Sequence, residues 1–288
     1  HSYASGSPDA GFYIGQCYPC DAIVHNVISE NNGLGYSGTN SGGSLYIISS
    51  VFKNNKGGLA PNTLDSELLP PERETFIIGN LIENNNNTDA PATQATNLSL
   101  GNGVVIAGGN NNIIKNNVIA NHDLYGVIIT ATADVNYWPA HGNRVESNLI
   151  INSKRADIAS SGLSNLGNCF ENNYFNTSIP PGLQTLNKCD SSFYPLSADL
   201  SGMWSSLARV IQTSDGNYSQ GDWRTFEAPA NQPNMPIMDE LMSLGYDKTS
   251  LPVTKIWSSV KPAVEVFSQY EDVLEVIELP EEARNYLN

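Results

Sequence analysis

A short phrase of apolar residues and asparagine recurs along residues 23–176. Each copy reads as an apolar pair, one or two polar residues that include Asn or Ser, a second apolar pair and a further polar residue. One position sets the register and is occupied by Asn26, Ser50, Asn80, Asn117, Asn148 and Asn173. The spacings are 24, 30, 37, 31 and 25 residues, and a period in this range is typical of a solenoid.

The pattern within each copy predicts β-structure, because apolar pairs separated by single polar residues indicate short strands. A minimal unit of 24 residues holds roughly three such strands with their turns, which is the perimeter of a parallel β-helix. We therefore predict an all-β solenoid of about six to seven coils over residues 1–190, stacked about 4.8 Å apart.

Asparagine at the same corner of every coil predicts ladders, because Asn tolerates left-handed backbone geometry and can bond its equivalent in the next coil. The register position gives the first ladder. A second is predicted four residues later, at Asn54, Asn84, Asn121 and Asn152, with Glu30 at this place in the first copy. Glycine often opens the third strand, and Gly11 fits the same place in a preceding coil. We therefore expect further coils upstream of His1.

The composition changes near residue 190. Of the 35 asparagines, 30 precede this point, and Pro, Ser and acidic residues dominate after it. Residues 191–288 are predicted to form an acidic, extended and partly helical tail, with helical patterns around Leu200–Ile211 and Val260–Ile277. A cap over the last coil is favoured over an independent domain, because solenoids must cover their open ends.

The four cysteines fall into two pairs, Cys17 with Cys20 and Cys169 with Cys189. A Cys-x-x-Cys pair can also mean redox chemistry or half of a zinc site. A zinc site would need a second close pair, and a redox motif a βαβ context, and the sequence offers neither. Two structural disulfides in an oxidising compartment are therefore the favoured interpretation, and no protein metal site is predicted.

The net charge of −15 argues against nucleic acid as a partner, because phosphate contacts require clustered Lys and Arg. It also argues against a polyuronate ligand unless calcium bridges the like charges. No apolar run is long enough for a membrane span. The acidic side chains near the C-terminus are predicted to form a solvated helix face; they are Glu271, Asp272, Glu275, Glu278, Glu281 and Glu282.

Several stretches resemble secreted bacterial right-handed parallel β-helix repeat proteins of the pectate-lyase-like superfamily. They are residues 7–16, 35–40, 167–170 and, in the tail, 232–236. The resemblance implies a right-handed β-helix, an extracellular or cell-surface location and a polysaccharide as the frequent partner. It supplies no catalytic residue, because no catalytic motif of the superfamily is recognisable.

One constellation of candidate catalytic residues follows the second predicted ladder. His122, Asp123, Lys154 and Arg155 fall at equivalent corners of adjacent coils, after Lys56 and Asn86 in earlier ones. A carboxylate beside a histidine, with cations one coil away, could hold an acidic sugar and remove a proton. The simpler alternative is that these are polar side chains at a solvated turn.

Inserted loops are the other candidate sites, because long loops on a rigid scaffold often carry function. Candidate substrate-binding residues are Asp65, Glu67, Arg73, Tyr125, Tyr137, Trp138 and His141. Exposed aromatic rings can stack on sugars, although Trp138 could equally pin its loop to the wall. Acidic residues of the first insertion could supply calcium oxygens, but no calcium-loop spacing is present. No cofactor is required by this interpretation, and calcium is possible.

Glycosylation sequons occur at Asn86, Asn97, Asn176 and Asn217, and they matter only if the source is eukaryotic. Two classes of function remain. The first is a secreted or cell-surface protein that binds or processes a polysaccharide through one wall and its loops, as a lyase, epimerase or glycoside hydrolase if it is an enzyme. The second is a non-enzymatic structural protein of the cell surface or extracellular matrix that assembles end to end into filaments. The sequence contains no catalytic triad, so enzymatic activity is not assigned.

Overall fold

The computed structural model describes residues 2–161, 167–191 and 279–287, together with the single residues 208, 210, 211, 214, 216 and 218. Three parallel sheets of six, seven and six strands run along this part of the chain. Within each sheet, every strand pairs in parallel with its equivalents one coil earlier and one coil later. This confirms the predicted all-β parallel β-helix.

Each of the first six coils contributes one strand to each of the three sheets, which we call A, B and C in the order in which the chain visits them, and the last coil adds one strand to sheet B. Sheet A contains β1 Ser2–Ser5, β4 Val27–Glu30, β7 Val51–Lys53, β10 Leu81–Glu83, β13 Val118–Ala120 and β18 Leu149–Ile151. Sheet B contains β2 Ala10–Tyr13, β5 Leu34–Thr39, β8 Gly57–Asn62, β11 Val104–Ala107, β14 Tyr125–Thr130, β19 Ala156–Ser160 and β21 Ser178–Ile179. Sheet C contains β3 Ala22–His25, β6 Gly42–Ile48, β9 Arg73–Ile78, β12 Ile113–Lys115, β17 Arg144–Glu146 and β20 Cys169–Glu171.

Outside the three sheets, the described chain has a short antiparallel hairpin and three short helices. The hairpin is β15 Thr132–Ala133 and β16 Tyr137–Trp138, and the helices are α1 Gln94–Asn97, α2 Leu183–Leu186 and the C-terminal 3₁₀ helix Glu281–Tyr286. In this part of the chain, no helix is long and apolar enough to cross a membrane.

One apolar core fills the interior of the solenoid. Alternate residues of each strand point inward, so Val127 and Ile129 of β14 join the core while Ile128 between them belongs to a separate cluster. The largest fully buried rings are Tyr36, Phe52 and Phe170. Stacked aliphatic side chains therefore stabilise every coil against its neighbours.

The first ladder is confirmed in four of its predicted steps and corrected at its start. The backbone N–H groups of Ser50, Asn80, Asn117 and Asn148 each donate to the side-chain oxygen of the next member, at 2.9–3.1 Å. The prediction of Asn26 is wrong, because Val27 aligns with Ser50. Asn26 lies one residue earlier, in the left-handed region.

The second ladder is displaced by one residue from its prediction. Asn54, Asn84, Asn121 and Asn152 have positive φ and form the turn. The hydrogen-bonded column is formed by the following residues: Asn32, Asn55, Asn85 and His122. One step of the predicted column is also bonded, since Asn152 Nδ2 donates to Asn121 Oδ1 at 3.1 Å. In the earlier coils, left-handed geometry and the ladder bond belong to two adjacent residues.

A third ladder, which was not predicted, precedes sheet C. It joins Asn112, Asn143 and Asn168 at 2.9–3.0 Å, and Asn112 also accepts from the backbone N–H of Thr75. The signal is visible in the sequence, since each of these asparagines directly precedes a strand of sheet C.

Helix α2 covers the last coil. The side-chain oxygen of Gln184 accepts the two Asn173 donors at 2.9 Å, and Leu183 is fully buried in the core. The disulfide Cys169–Cys189 ties this cap to β20, and Cys17–Cys20 closes a loop of the first coil, so both predicted disulfides are confirmed. End-to-end assembly through this end would have to displace α2.

The C-terminal 3₁₀ helix packs on the outer face of sheet A. Ala283 is fully buried there against the apolar column Val51, Leu81 and Val118. The Tyr286 hydroxyl donates to Glu83 and accepts from Asn121 Nδ2. Apolar residues on the outer faces of sheets B and C are buried as well; they are Tyr125, Ile128, Ala156, Ala159, Tyr46, Ile48 and Ile78.

The tail predictions are tested at few positions. Glu281 and Glu282 are exposed in the first turn of the 3₁₀ helix, whereas Glu271, Asp272, Glu275 and Glu278 lie outside the described residues. The predicted helix 260–277 also lies outside them, as does 200–211 except for three single residues.

Candidate functional site

Three loops project from one corner of the solenoid. They follow the first, third and fifth strands of sheet B and comprise residues 14–21, 63–72 and 131–143. Because the strands stack in register, the loops emerge at the same corner, and the first and fifth strands lie about 19 Å apart. We call these three loops, together with the adjoining residues Tyr13, Arg73 and Glu74, the loop ridge.

The first two loops of the ridge are joined by side-chain hydrogen bonds. The Tyr13 hydroxyl donates to Glu67 Oε2 at 2.7 Å, and the backbone N–H of Leu68 donates to Gln16 Oε1 at 3.3 Å. The Tyr18 hydroxyl donates to Glu74 Oε2 at 3.0 Å. These contacts fix both tyrosine rings relative to the solenoid.

The second and third loops are clipped together through Asp65. Its carboxylate accepts from the backbone N–H and side-chain Nδ2 of Asn136, each at 2.7 Å. Its own backbone N–H donates to Asp134 Oδ2 at 2.8 Å. The hydrogen bonds from Asn136 lower the pKa of Asp65. Hydrogen bonds therefore link all three loops to one another.

Tyrosine rings are exposed along the ridge. The exposed fractions are 47% for Tyr13, 42% for Tyr18 and 48% for Tyr137. Trp138 is half-buried and packs against Gly108, where an added Cβ would lie 3.0 Å from the Trp138 Cβ. Of the two predicted aromatic residues, Tyr137 is therefore the more exposed, and Trp138 lies against Gly108.

Two other predicted binding residues support the ridge. The backbone N–H of His141 donates to Asn110 Oδ1 at 2.9 Å and fixes the return of the third loop. The guanidinium of Arg73 lies 3.7 Å above the centre of the Tyr18 ring and donates to the Leu69 and Pro71 carbonyls. Arg73 therefore combines a cation–π contact with loop anchoring.

His122 lies inside the solenoid. Its Nε2 is 3.3 Å from Asn85 Nδ2, and the other bonds of that amide orient it as the donor. His122 is fully buried, and burial lowers its pKa to about 3. Its Nδ1 has no hydrogen-bond partner. A neutral buried imidazole cannot exchange a proton with a ligand at the surface, so it does not join the other three predicted catalytic residues.

Those three residues form two separate contacts at the surface. Asp123 Oδ1 and Lys154 Nζ form an ion pair at 2.7 Å, in which both side chains are largely solvated. The Arg155 guanidinium lies 5.6 Å from the centre of the Tyr125 ring, and Tyr125 itself is buried on sheet B. A solvated ion pair of this kind contributes about 0–1 kcal/mol to stability.

The insertion between β10 and β11 is held to the opposite border of sheet B. The buried Lys56 donates from Nζ to the Thr88 carbonyl oxygen at 2.6 Å, and burial lowers its pKa. The Thr93 N–H and the Thr96 hydroxyl both donate to the Pro8 carbonyl. Lys56 therefore has a structural role, because it holds this insertion against the solenoid.

The sequons differ in exposure. Asn86 uses its Nδ2 to donate to the Asn121 carbonyl, and Asn97 is buried in α1. Asn176 is exposed, and Asn217 lies outside the described residues.

Sequence reasoning missed Tyr13 and Tyr18. The available signal for the tyrosines is the Cys-Tyr-Pro-Cys loop that separates two strands of the first coil. Glu72 is fully buried between Thr75 Oγ1 and Asn112 Nδ2, at 2.7 and 2.8 Å, and burial raises its pKa to about 8. It extends the third ladder and is not exposed to a ligand.

Within the described ranges, His, Cys, Asp and Glu side chains form no group of three or more that could hold a metal ion. Among solved structures, the chain is similar to the A-module of the Azotobacter vinelandii mannuronan C-5 epimerase AlgE4, with 14% identity and a TM-score of 0.37. The match covers 61% of this chain and 55% of that module, or about half of its length. No family model matches the chain, and no curated protein matches it.

Proposed function

We propose that this protein is an extracellular or cell-surface β-helix that binds a polysaccharide along the loop ridge. The observation that carries the proposal is the row of exposed rings, Tyr13, Tyr18 and Tyr137, on three interlocked loops. Flat rings with adjacent carboxylate and amide groups match a sugar, which has apolar ring faces and a rim of hydroxyls. The two disulfides fit an oxidising compartment.

The ridge is a better contact surface than a sheet wall for two reasons. Several outward apolar residues of each sheet are already buried, whereas the tyrosines of the ridge are exposed. The rings are also pre-ordered, because Tyr13 and Tyr18 are held by hydrogen bonds and the hairpin with Tyr137 by the Asp65 clip. Pre-ordered groups lose less entropy on binding.

Binding rather than processing is proposed, because no candidate acid and base converge on the ridge. The carboxylates of Asp65 and Glu67 are used to hold Asn136 and Tyr13, respectively. His122 is buried, and Asp123 pairs with Lys154. Lyase, epimerase or hydrolase activity would require groups that a ligand can reach.

The test is affinity electrophoresis and isothermal titration against a panel of soluble polysaccharides, with Tyr13→Ala, Tyr137→Ala and their combination. Each single variant should bind about fivefold more weakly and the combination about 25-fold, because each lost ring face removes roughly 1 kcal/mol of apolar contact. The matched control is Tyr174→Ala, a tyrosine that is 67% exposed next to Leu149 of sheet A, away from the ridge. Equal losses in Tyr174→Ala and Tyr137→Ala, or binding that survives the double variant, would contradict the proposal.

A further inference from the structure

The charge around the ridge rings limits the class of polysaccharide that the ridge can bind. This inference rests on the proposed function. Residues 13–21, 63–74 and 131–143 carry five carboxylates outside the core, against one arginine. The carboxylates are Asp21, Asp65, Glu67, Glu74 and Asp134. An anionic polymer would be repelled here, whereas a cationic one would be attracted over about one Debye length.

The tyrosine rings themselves favour a cation. The face of an aromatic ring carries negative potential, and a hydroxyl that donates to a carboxylate adds a formal negative charge next to the ring. Tyr13 and Tyr18 are both paired in this way, with Glu67 and Glu74. Gly15 lies against the hydroxyl end of the Tyr13 ring, where an added Cβ would be 2.4 Å from the ring Cζ, and Tyr13 remains 47% exposed.

A cationic side chain of the protein already lies on the face of one of these rings. The Arg73 guanidinium lies 3.7 Å above the Tyr18 ring, with the Glu74 carboxylate on the hydroxyl of the same ring. Arg73 thus stands in for a ligand cation and shows that a ring paired with a carboxylate on this ridge holds one. The Tyr13–Glu67 pair has the same composition without an arginine stacked on it.

We propose that the ridge selects a polysaccharide that carries protonated amines, that is, an amino-sugar polymer with free amino groups. An ammonium over the Tyr13 ring would gain both the ring potential and the Glu67 charge, while a neighbouring sugar face stacks on Tyr137. The neutral, N-acetylated form of the same polymer keeps the stacking and loses the charge term.

The experiment compares two forms of one probe, a β-1,4-linked glucosamine oligomer and its fully N-acetylated counterpart, by titration calorimetry. The measurements are made at about pH 5.5, where surface carboxylates are ionised, and at low and raised salt. We expect the amine form to bind about tenfold more tightly at low salt, with the difference shrinking as salt rises. Glu67→Gln, which retains an oxygen to accept from Tyr13, should lower the affinity for the amine form about threefold and leave the acetylated form unchanged.

The control is Glu30→Gln, which alters a matched pair off the ridge, since the Tyr3 hydroxyl donates to Glu30 at 2.6 Å on sheet A. Equal binding of the two oligomers would overturn this inference and leave the proposed function standing. Loss of binding to both oligomers and to every other glycan would overturn the proposed function. A preference for amines that survives Glu67→Gln combined with Glu74→Gln would also overturn the inference.

Discussion

The first and second asparagine ladders run through the same coils, yet only the first is complete. From Asn80 to Asn173, each first-ladder amide bonds to the next, and Gln184 of α2 receives the last donors. In the second ladder, Asn85 meets His122 instead of an asparagine. The His122 Nδ1 hydrogen has no acceptor, and an unpaired buried donor costs about 1–3 kcal/mol.

The difference shows what the repeat requires of a ladder position. An asparagine amide supplies an oxygen to the preceding coil and a hydrogen to a carbonyl, so one residue type satisfies two neighbours. A neutral imidazole supplies one acceptor, and its second nitrogen lies in the core without a hydrogen-bond partner. The solenoid tolerates this interruption, but a titratable group now lies where the rest of the ladder has none.

The largest effect is expected from breaking the complete ladder at Asn117. Its Oδ1 accepts from the backbone N–H and Nδ2 of Asn80, and its own amide donates to Asn148 and the Ile77 carbonyl. Asn117→Ala leaves these buried groups unpaired, so we expect a loss of about 4 kcal/mol in the free energy of unfolding. Urea denaturation followed by circular dichroism measures this loss.

Ser50→Ala is the matched control for Asn117→Ala, because it lies at the start of the same ladder. The Ser50 hydroxyl accepts from one backbone N–H and donates to one carbonyl, so its loss should cost about half as much. If the two substitutions lower the free energy of unfolding by the same amount, the number of ladder hydrogen bonds at a position does not determine its contribution to stability.

The second expected effect is acid sensitivity that arises from His122. Burial lowers its pKa from 6.5 to about 3, so the unfolded chain takes up a proton at a higher pH than the folded one does. Its contribution to stability is therefore complete above pH 6.5 and is lost as the pH falls towards 3, at about 1.4 kcal/mol per pH unit. Relative to wild type, His122→Asn should gain about 3 kcal/mol between pH 6.5 and 4.5. Urea denaturation of wild type and His122→Asn at the two pH values measures this gain.

Glu72 is expected to act in the opposite direction, at the start of the third ladder. Burial raises its pKa from 4.5 to about 8, so its contribution is complete below pH 4.5 and is lost as the pH rises towards 8. Glu72→Gln should therefore gain about 2 kcal/mol relative to wild type when the pH rises from 6 to 8. Thermal denaturation of wild type and Glu72→Gln across this range tests it. A difference from wild type that is independent of pH would show that Glu72 does not titrate in this window.

Much of this framework is readable from the sequence, and the failures have a common cause. Asn80, Asn117 and Asn148 were predicted because their spacing matches a coil. The repeat often places two asparagines side by side, as at Asn54 and Asn55, and the period does not say which one turns the chain and which one bonds. A slip of one residue exchanges inside and outside, and it therefore placed His122 on the surface.

The ridge was only partly predictable for a different reason. Long insertions and their aromatic residues are visible in the sequence, and Asp65, Glu67, Arg73 and Tyr137 were predicted from them. The contact between Tyr13 and Glu67 joins residues 54 apart, from different coils. Which loops meet depends on how the coils stack, and local patterns carry no information about that.

The smallest and most direct test of the ladder comparison is the gain at neutral pH from repairing the second ladder. Asn at position 122 would present an oxygen to Asn85, and its amide would reach the Ile82 carbonyl, as Asn85 reaches Phe52 one coil earlier. Because the unpaired Nδ1 disappears, we expect His122→Asn to stabilise the protein by about 1 kcal/mol at pH 7. His122→Ala removes the same nitrogen without completing the ladder and should destabilise. If the asparagine and alanine variants are equally stable, the ladder contributes nothing at this coil. The difference between the first and second ladders would then have no effect on the free energy of unfolding.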